Sequence, residues 1–162
     1  MKKILTLVCM LMLGMGFAQA QVHQGETAVG ANIVYGTEIE SMGLGARFQY
    51  GILDQLRAEV GFNGFFEHDH TSWWDVNLNA HYLLGLWNEQ LYFYPLAGLN
   101  YTMTKVSING VSDEENHIGL NLGAGLEYEL NEHLGANFEF RHTIVRKNCD
   151  QAIFGIGLNY KF

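Results

Sequence analysis

The sequence has little cysteine, proline and positive charge, and these shortages exclude several classes of protein. Of its two cysteines, Cys9 lies in an N-terminal apolar segment, so Cys149 has no partner for a disulfide in the rest of the chain. Nine lysines and arginines against 17 aspartates and glutamates give a formal charge of −8. With no basic patch, the chain is not expected to bind nucleic acid. Past the N-terminus, no apolar run reaches the roughly 20 residues of a membrane-spanning helix.

The first twenty residues have the pattern of a secretory signal peptide. Two lysines precede an apolar stretch over Ile4–Phe17, and Ala18 and Ala20 are small residues at the two positions that a cleavage site requires. The stretch is too short for a membrane span and has no stop-transfer flank. We expect cleavage after Ala20 and one exported domain over residues 21–162.

Apolar and polar residues then alternate in eight successive segments. The segments cover residues 26–35, 42–50, 55–66, 74–84, 91–102, 118–130, 134–145 and 152–162. Alternation over about 10 residues is typical of a β-strand with one apolar face. An open sheet of eight strands would leave two unpaired edges. The pattern therefore predicts an all-β fold, an eight-stranded antiparallel up-and-down β-barrel.

Three features indicate that the apolar face points outward, toward lipid. The polar face is rich in glycine and asparagine and poor in lysine, which suits a narrow lumen better than a solvent-facing surface. Aromatic residues of the apolar face lie near strand ends, as two girdles at the membrane interfaces require. They are Tyr35, Tyr50, Phe66, Trp74, Tyr82, Tyr101, Tyr128, Tyr160 and Phe162. Finally, Phe162 is an aromatic residue at the last outward position of the last strand. The alternative is a soluble periplasmic ligand-binding barrel with its apolar face inside.

Two segments, 93–101 and 155–162, carry a family resemblance. Their sequences are FYPLAGLNY and GIGLNYKF, and the second ends on the terminal aromatic residue. The chain resembles the small outer-membrane β-barrel family, which includes OmpX and the transmembrane domain of OmpA. The resemblance covers residues 21–162 and implies a place in the bacterial outer membrane, in contact with its lipid and lipopolysaccharide. It also implies that the C-terminal strand is recognised by the outer-membrane barrel assembly machinery.

An even number of strands puts both termini in the periplasm. We expect periplasmic turns at 51–54, 85–90 and 131–133. The extracellular segments are then 36–41, 67–73, 103–117 and 146–151. Of these outer segments we expect 103–117 alone to be a long loop, with a turn at Asn109–Gly110.

Seven charged residues fall on the polar face and are expected to point into the lumen. They are Arg47, Arg57, Glu59, Glu127, Glu129, Glu139 and Arg141. Unpaired charges are costly in a narrow interior of low dielectric constant, so we expect these groups to pair. They either fill the lumen as a structural network, as in eight-stranded barrels generally, or form a charged plug that limits a narrow pore.

Other motifs give weaker indications of chemistry. His68 and His70, at i and i+2, could approach one metal ion, but a solvated polar loop is the better interpretation, and we predict no metal and no cofactor. A lipid A-modifying enzyme needs a nucleophile beside a histidine. The deacylase pattern, a serine two residues after the histidine, fails because Ile144 follows His142 at that spacing.

The sequence therefore predicts a non-enzymatic outer-membrane barrel with a structural or surface-interaction role. Its lumen would be largely plugged by charged side chains, and an extracellular partner of unknown identity would bind the loops. The main alternative is a narrow porin-like channel for small solutes. A lipid A-modifying barrel enzyme and a soluble barrel are the remaining alternatives.

Overall fold

The computed structural model describes residues 24–68, 71–87, 90–108, 111–145 and 150–162. The predicted signal peptide and Cys149 lie outside this part of the chain. Nine β-segments make up the described structure: β1 (Thr27–Gly36), β2 (Ser41–Leu53), β3 (Leu56–His68), β4 (Thr71–Tyr82), β5 (Leu84–Trp87), β6 (Leu91–Ile108), β7 (Val111–Glu129), β8 (Leu134–Val145) and β9 (Gln151–Lys161). Within these ranges there is no helix long and apolar enough to cross a membrane.

The sheet closes on itself. Neighbouring segments pair in antiparallel fashion, and β1 pairs with β9, which joins the two ends of the chain. β4 and β5 both pair with β6 and form one barrel strand that is interrupted at Leu83. The predicted closed, eight-stranded antiparallel barrel is confirmed. We call the end at which β1 begins and β9 ends the terminal rim, and the opposite end the hairpin rim.

The interruption between β4 and β5 has its cause in β6. The register places Tyr82 opposite Pro95, the single proline of the chain. Proline has no N–H and cannot donate to the ladder. On the side that faces β3 the hydrogen bonding continues, because Leu83 donates its N–H to the carbonyl oxygen of Gln55 at 2.8 Å.

The apolar face of the barrel points outward. Ile33, Leu44 and Leu78 are each more than half exposed, whereas Asn77 and Asn121 are fully buried inside. The expected orientation is therefore confirmed. The alternative of a soluble barrel with an apolar interior is wrong, since the interior is lined mainly by asparagine, carboxylate and guanidinium groups.

The prediction of a long outer loop at 103–117 is wrong. β6 continues to Ile108, β7 begins at Val111, and the two strands pair along this whole length. Asn109 and Gly110 lie outside the described residues. The strands were hidden in the sequence because above a membrane both faces of a hairpin meet water, so no apolar alternation is required there.

Two shorter loops were also placed over strand residues. In the outer segment 67–73, β3 reaches His68 and β4 begins at Thr71, with these two residues paired. In the inner segment 85–90, β5 runs to Trp87 and pairs with β6. Both errors have the same cause, since paired backbone continues beyond the zone in which lipid imposes an apolar face.

Candidate functional site: the barrel lumen

Two apolar clusters lie inside the otherwise polar lumen, one near each rim. The cluster near the terminal rim contains Leu83, Tyr92, Tyr94 and Leu96. The cluster near the hairpin rim contains Val34, Phe65 and Ile153, with Ile39 and Trp73 packed against it. The polar and charged groups lie between these clusters. The uneven alternation of the fifth predicted strand is thereby explained, because Tyr92, Tyr94 and Leu96 are large residues that point inward.

Arg47 connects opposite walls of the lumen. Its Nη1 atom lies 3.2 Å from Oε2 of Glu59 on β3 and 3.2 Å from Oε2 of Glu139 on β8. β3 and β8 are four strands apart in a barrel of eight. Gln49 also donates to Glu59 Oε2, at 2.8 Å. All these groups are at least nine-tenths buried. One buried guanidinium therefore links carboxylates from opposite walls of the lumen.

A second ion pair joins β3 to β7. Nη2 of Arg57 lies 2.9 Å from Oε2 of Glu127. The guanidinium of Arg57 also lies 5.4 Å from the centre of the Tyr94 ring, a cation–π distance. Tyr94 stacks on His81 at 4.7 Å and donates its hydroxyl to Glu139 at 3.1 Å. Tyr94 thus links the two ion pairs to the apolar cluster at the terminal rim.

Asparagines fill the middle and outer parts of the lumen. Asn121 donates to Asn77 and Asn79, each at 2.9 Å, and accepts from Thr143 at 2.8 Å. Asn63 and Asn77 both donate to Oδ1 of Asp75. Small amides with both donors and acceptors can satisfy one another in a space too narrow for long side chains.

Six of the seven charged residues predicted for the lumen are buried in it, and Glu129 lies at the terminal rim. Glu129 accepts a hydrogen bond from Lys161, whose Nζ also lies 3.4 Å from Glu26. Arg141 is the least tightly paired of the buried charges, at 3.8 Å from Asp75 and 4.0 Å from Glu139. Asp75, His81 and Lys161 were missed as lumen charges, although the alternation of their segments already places them on the polar face.

Two small cavities lie in the described part of the lumen. One cavity of about 10 Å³ lies beside Arg47 and Arg141, and another of about 10 Å³ lies beside Asp75 and Gln151. A volume of this size accommodates about one water molecule.

One group of metal-ligating atoms comes together in the lumen. Glu59, His81 and Glu139 each offer a ligand atom, and these atoms lie within 4.8 Å of one another. However, Arg47 already pairs with both carboxylates, so a guanidinium holds the position that a metal ion would take. The motif proposed from sequence is not tested, because the side chain of His68 is not described and His70 lies outside the described residues.

The outer surface near the hairpin rim carries an imidazole and a carboxylate. The His142 side chain is 41% exposed, and its Nε2 lies 4.0 Å from Asp150. The neighbouring Thr143 points to the other side of the sheet, where it donates to Asn121 inside the lumen. The Thr143 hydroxyl is therefore turned away from His142.

The predicted girdle residues lie on the outward face in two groups. Tyr50, Tyr82, Tyr128, Tyr160 and Phe162 lie near the terminal rim, and Tyr35, Phe66, Trp74 and Tyr101 lie nearer the hairpin rim. Tyr160 makes an edge contact with Phe162 at 5.2 Å and stacks on His133 at 6.0 Å. Whether they anchor the barrel at the two interfaces remains a prediction.

A family model described as outer membrane protein beta-barrel domain matches residues 5–162. The chain belongs to this family. No curated protein matches it. Several solved structures have the same fold as this outer-membrane barrel domain, at sequence identities that establish the fold alone.

The N-terminal β-barrel domain of Pseudomonas aeruginosa OprF is similar at a TM-score of 0.75 and 19% identity, over 86% of this chain and 98% of that one. The Neisserial surface protein A is similar at a TM-score of 0.67 and 16% identity, over 86% of this chain and 98% of that one. Ail, the attachment invasion locus protein of Yersinia pestis, is similar at a TM-score of 0.65 and 17% identity, over 86% of this chain and 100% of that one.

Proposed function

We propose that this outer-membrane barrel is non-enzymatic, that its lumen is closed by its own side chains, and that it acts as an envelope scaffold with a contact surface outside the cell. The bridge from Glu59 through Arg47 to Glu139 supports the closed lumen, because it joins opposite walls of the barrel. Eight-stranded barrels are just wide enough for side chains to fill. The apolar cluster at each rim adds a second barrier to ions.

The contact surface is the hairpin of β6 and β7, which extends past the end of β8. β6 has 18 residues and β7 has 19, whereas no other segment exceeds 13. The ladder of β7 with β8 begins at Gly119 and Val145, while β7 residues 111–118 are paired, within the described structure, with β6. A strand edge of this kind can add an extended peptide through main-chain hydrogen bonds.

The charge of the hairpin favours a protein partner over a polyanion. Ail has been solved in complex with the heparin analogue sucrose octasulfate. In this chain the hairpin carries Asp113, Glu114 and Glu115 in succession, which repel a sulfated ligand. We therefore propose that an extended peptide segment pairs with the edge of β7. Contact of the girdles with lipid and lipopolysaccharide, and recognition of the strand ending at Phe162 by the barrel assembly machinery, belong to the same proposal.

Conductance in a planar bilayer tests the closed lumen. The purified full-length barrel should stay at background conductance, and Arg47→Ala should raise it if this side chain blocks the path. Arg141→Ala serves as a comparison, because Arg141 is only loosely paired. Measurable current through the unmodified protein would favour the narrow channel instead. Lipid A mass spectra that change when the protein is present would favour the enzyme.

A shortened hairpin tests the contact surface. A variant in which residues 105–114 are replaced by a two-residue turn should reach the outer membrane and resist SDS as the parent does. Cells that carry it should keep their barrier to large antibiotics but lose adhesion to host or neighbouring cells. Equal adhesion by both proteins would refute the role of the hairpin, and an unchanged barrier in cells lacking the protein would refute the scaffold role.

A further inference from the structure

We infer that the lumen binds one small monovalent cation, held by oxygen atoms around Asp75 in the cavity near the hairpin rim. Three independent observations converge on this cavity. They are its size and lining, the unpartnered polar atoms of two side chains that line it, and the balance of charge among the buried side chains of the lumen.

The lining of the cavity is rich in oxygen. Its polar side chains come from Asp75, Asn100, Thr102, Thr143 and Gln151, and each offers a carboxylate, amide or hydroxyl oxygen. Hard cations prefer oxygen ligands of this kind. At about 10 Å³ the cavity has room for one particle of the size of water, so it cannot hold an organic ligand.

Two of the lining side chains have polar atoms without a hydrogen-bond partner among the described residues. Oδ2 of Asp75 is one such atom, and both the Oε1 and Nε2 atoms of Gln151 are others. Asp75 is 1% exposed and Gln151 is 3% exposed. Buried polar atoms are rarely left unsatisfied, so we expect an occupant of the cavity to contact Oδ2 of Asp75 and Oε1 of Gln151. The nearest charged group, Nη2 of Arg141, is 3.8 Å from Asp75 and too far away to donate a hydrogen bond.

The charge count distinguishes a cation from a water molecule. Among the described side chains between the two apolar clusters, three guanidiniums face four carboxylates. They are Arg47, Arg57 and Arg141 against Glu59, Asp75, Glu127 and Glu139. Lys161 does not restore the balance, because it is paired at the rim with Glu26 and Glu129. One negative charge is left over in a buried space, where an uncompensated charge is costly. A single positive charge neutralises it, and a divalent ion would overshoot.

Asp75 is the carboxylate best placed to receive that charge, because its hydrogen-bond donors are the neutral amides of Asn63 and Asn77, whereas a guanidinium lies within 3.2 Å of each of the other three. Glu59 accepts from Arg47, Gln49 and Asn79, and Glu127 accepts from Arg57. Glu139 accepts from Arg47 and Tyr94. Protonation of His81 could also balance the charge. Its Nε2 lies 3.7 Å from Oε1 of Glu59, which favours a proton, but its Nδ1 lies closer, at 3.4 Å, to the guanidinium of Arg57, which opposes one.

The route to the cavity runs through the apolar cluster at the hairpin rim. Trp73 and Ile153 line the cavity and also belong to this cluster. We expect these two side chains to separate the site from the outer water. We therefore expect the cation to exchange slowly compared with an ion at an open surface.

The stability of the full-length barrel in different salts tests the site. The refolded protein is unfolded with urea in zwitterionic detergent, at constant ionic strength, in lithium, sodium, potassium or N-methylglucammonium chloride. When the concentration of the inorganic cation that binds is well above its dissociation constant, each further tenfold rise in that concentration should lower the unfolding equilibrium constant about tenfold. The organic cation is too large for the cavity and should give no such effect. Asp75→Asn should abolish the dependence, whereas Asp150→Asn, a matched change at an exposed position, should keep it.

Equal unfolding midpoints in all four salts would overturn the inference, as would a cation dependence that survives Asp75→Asn. If the midpoints instead follow pH alone, a proton neutralises the lumen and the inference is wrong. Should Asp75→Asn fail to fold, anomalous diffraction from crystals of the unmodified protein grown in rubidium chloride decides the matter. An anomalous peak beside Oδ2 of Asp75 is expected, and a peak-free cavity in those crystals would count against the cation.

Discussion

Arg57 and Glu127 form a 2.9 Å salt bridge between β3 and β7, two strands that are not neighbours in the barrel. Both side chains are at most 4% exposed. Removal of either side chain therefore leaves the charge of the other without a partner in a space that bulk water does not reach. We predict that Arg57→Met lowers the free energy of unfolding by roughly 3–5 kcal/mol, measured by urea unfolding of the refolded barrel.

The double variant Arg57→Met with Glu127→Leu serves as the control for this pair. It removes both charges at once, so it should recover most of the loss. At the half-exposed pair of His142 and Asp150, His142→Ala should change stability by only about 0–1 kcal/mol. A loss below 1 kcal/mol for Arg57→Met alone would show that the pair is not isolated from water.

Closure of the sheet between β1 and β9 predicts how the protein migrates in gels. The pairing of β1 with β9 leaves the sheet without two free end strands, so SDS has no open edge from which to unzip the barrel. The unheated protein should therefore resist SDS and shift its mobility after boiling. A protein that migrates identically before and after boiling, and that is found free in the periplasm, would contradict a lipid-facing barrel.

A glycine on β7 makes room for Tyr94. Gly125 is paired with Tyr94 in the β6–β7 ladder, and the Tyr94 ring occupies the place where a Cβ would stand at Gly125. Tyr94 is fully buried and bonded to Glu139, so it has nowhere to move. We predict that Gly125→Ala lowers the unfolding free energy by about 1–3 kcal/mol through overpacking, as measured by urea unfolding.

Gly61→Ala is the matched control for that change. The nearest atom to a Cβ at Gly61 lies 3.8 Å away, an ordinary contact distance. The added methyl group should leave stability unchanged or raise it slightly, because alanine has less freedom than glycine in the unfolded chain. Equal losses for both variants would mean that any substitution of a lumen glycine is harmful and that Tyr94 has no special part.

Alternation with a period of two predicted the strands and their outward face, because lipid contact demands an apolar residue at every second position. The prediction was best where lipid contact is continuous, and β8 runs from Leu134 to Val145 as expected. It failed at the hairpin of β6 and β7, whose strands continue beyond the segments that alternate. The break between β4 and β5 also could not be placed, since it depends on which residue of the neighbouring strand lies opposite Pro95.

The same alternation placed the charges on the lumen side but could not say which of them pair. Arg57 and Glu59 are two residues apart on one strand, yet they bond to different partners, Glu127 and Arg47. The choice depends on the stagger between strands on distant walls, which the spacing within one strand does not contain. For the same reason the alternation does not indicate that Tyr94 joins the two ion pairs.

Lys161 joins three strand ends at the terminal rim, and this predicts an effect on barrel closure. Its Nζ lies 3.4 Å from Glu26, just before β1, and donates to Glu129 at the end of β7. Because β9 meets β1 at the closing seam, the Lys161–Glu26 pair crosses the point where the two ends of the chain join. We predict that Lys161→Met, which keeps the length of the side chain, lowers the unfolding free energy by about 1–2 kcal/mol and speeds unfolding in SDS.

The loss at Lys161 should be smaller than that at Arg57, because Glu26 and Glu129 are 18% and 24% exposed and can be partly solvated when left alone. Lys161→Arg keeps the charge and should restore most of the stability. Unfolding rates in SDS, followed by gel mobility at several temperatures, measure the effect directly. If Lys161→Met unfolds as slowly as the parent, the main-chain bonds of the seam, among them the N–H of Phe162 to the carbonyl of Thr27 at 2.9 Å, hold the barrel closed without the ion pair.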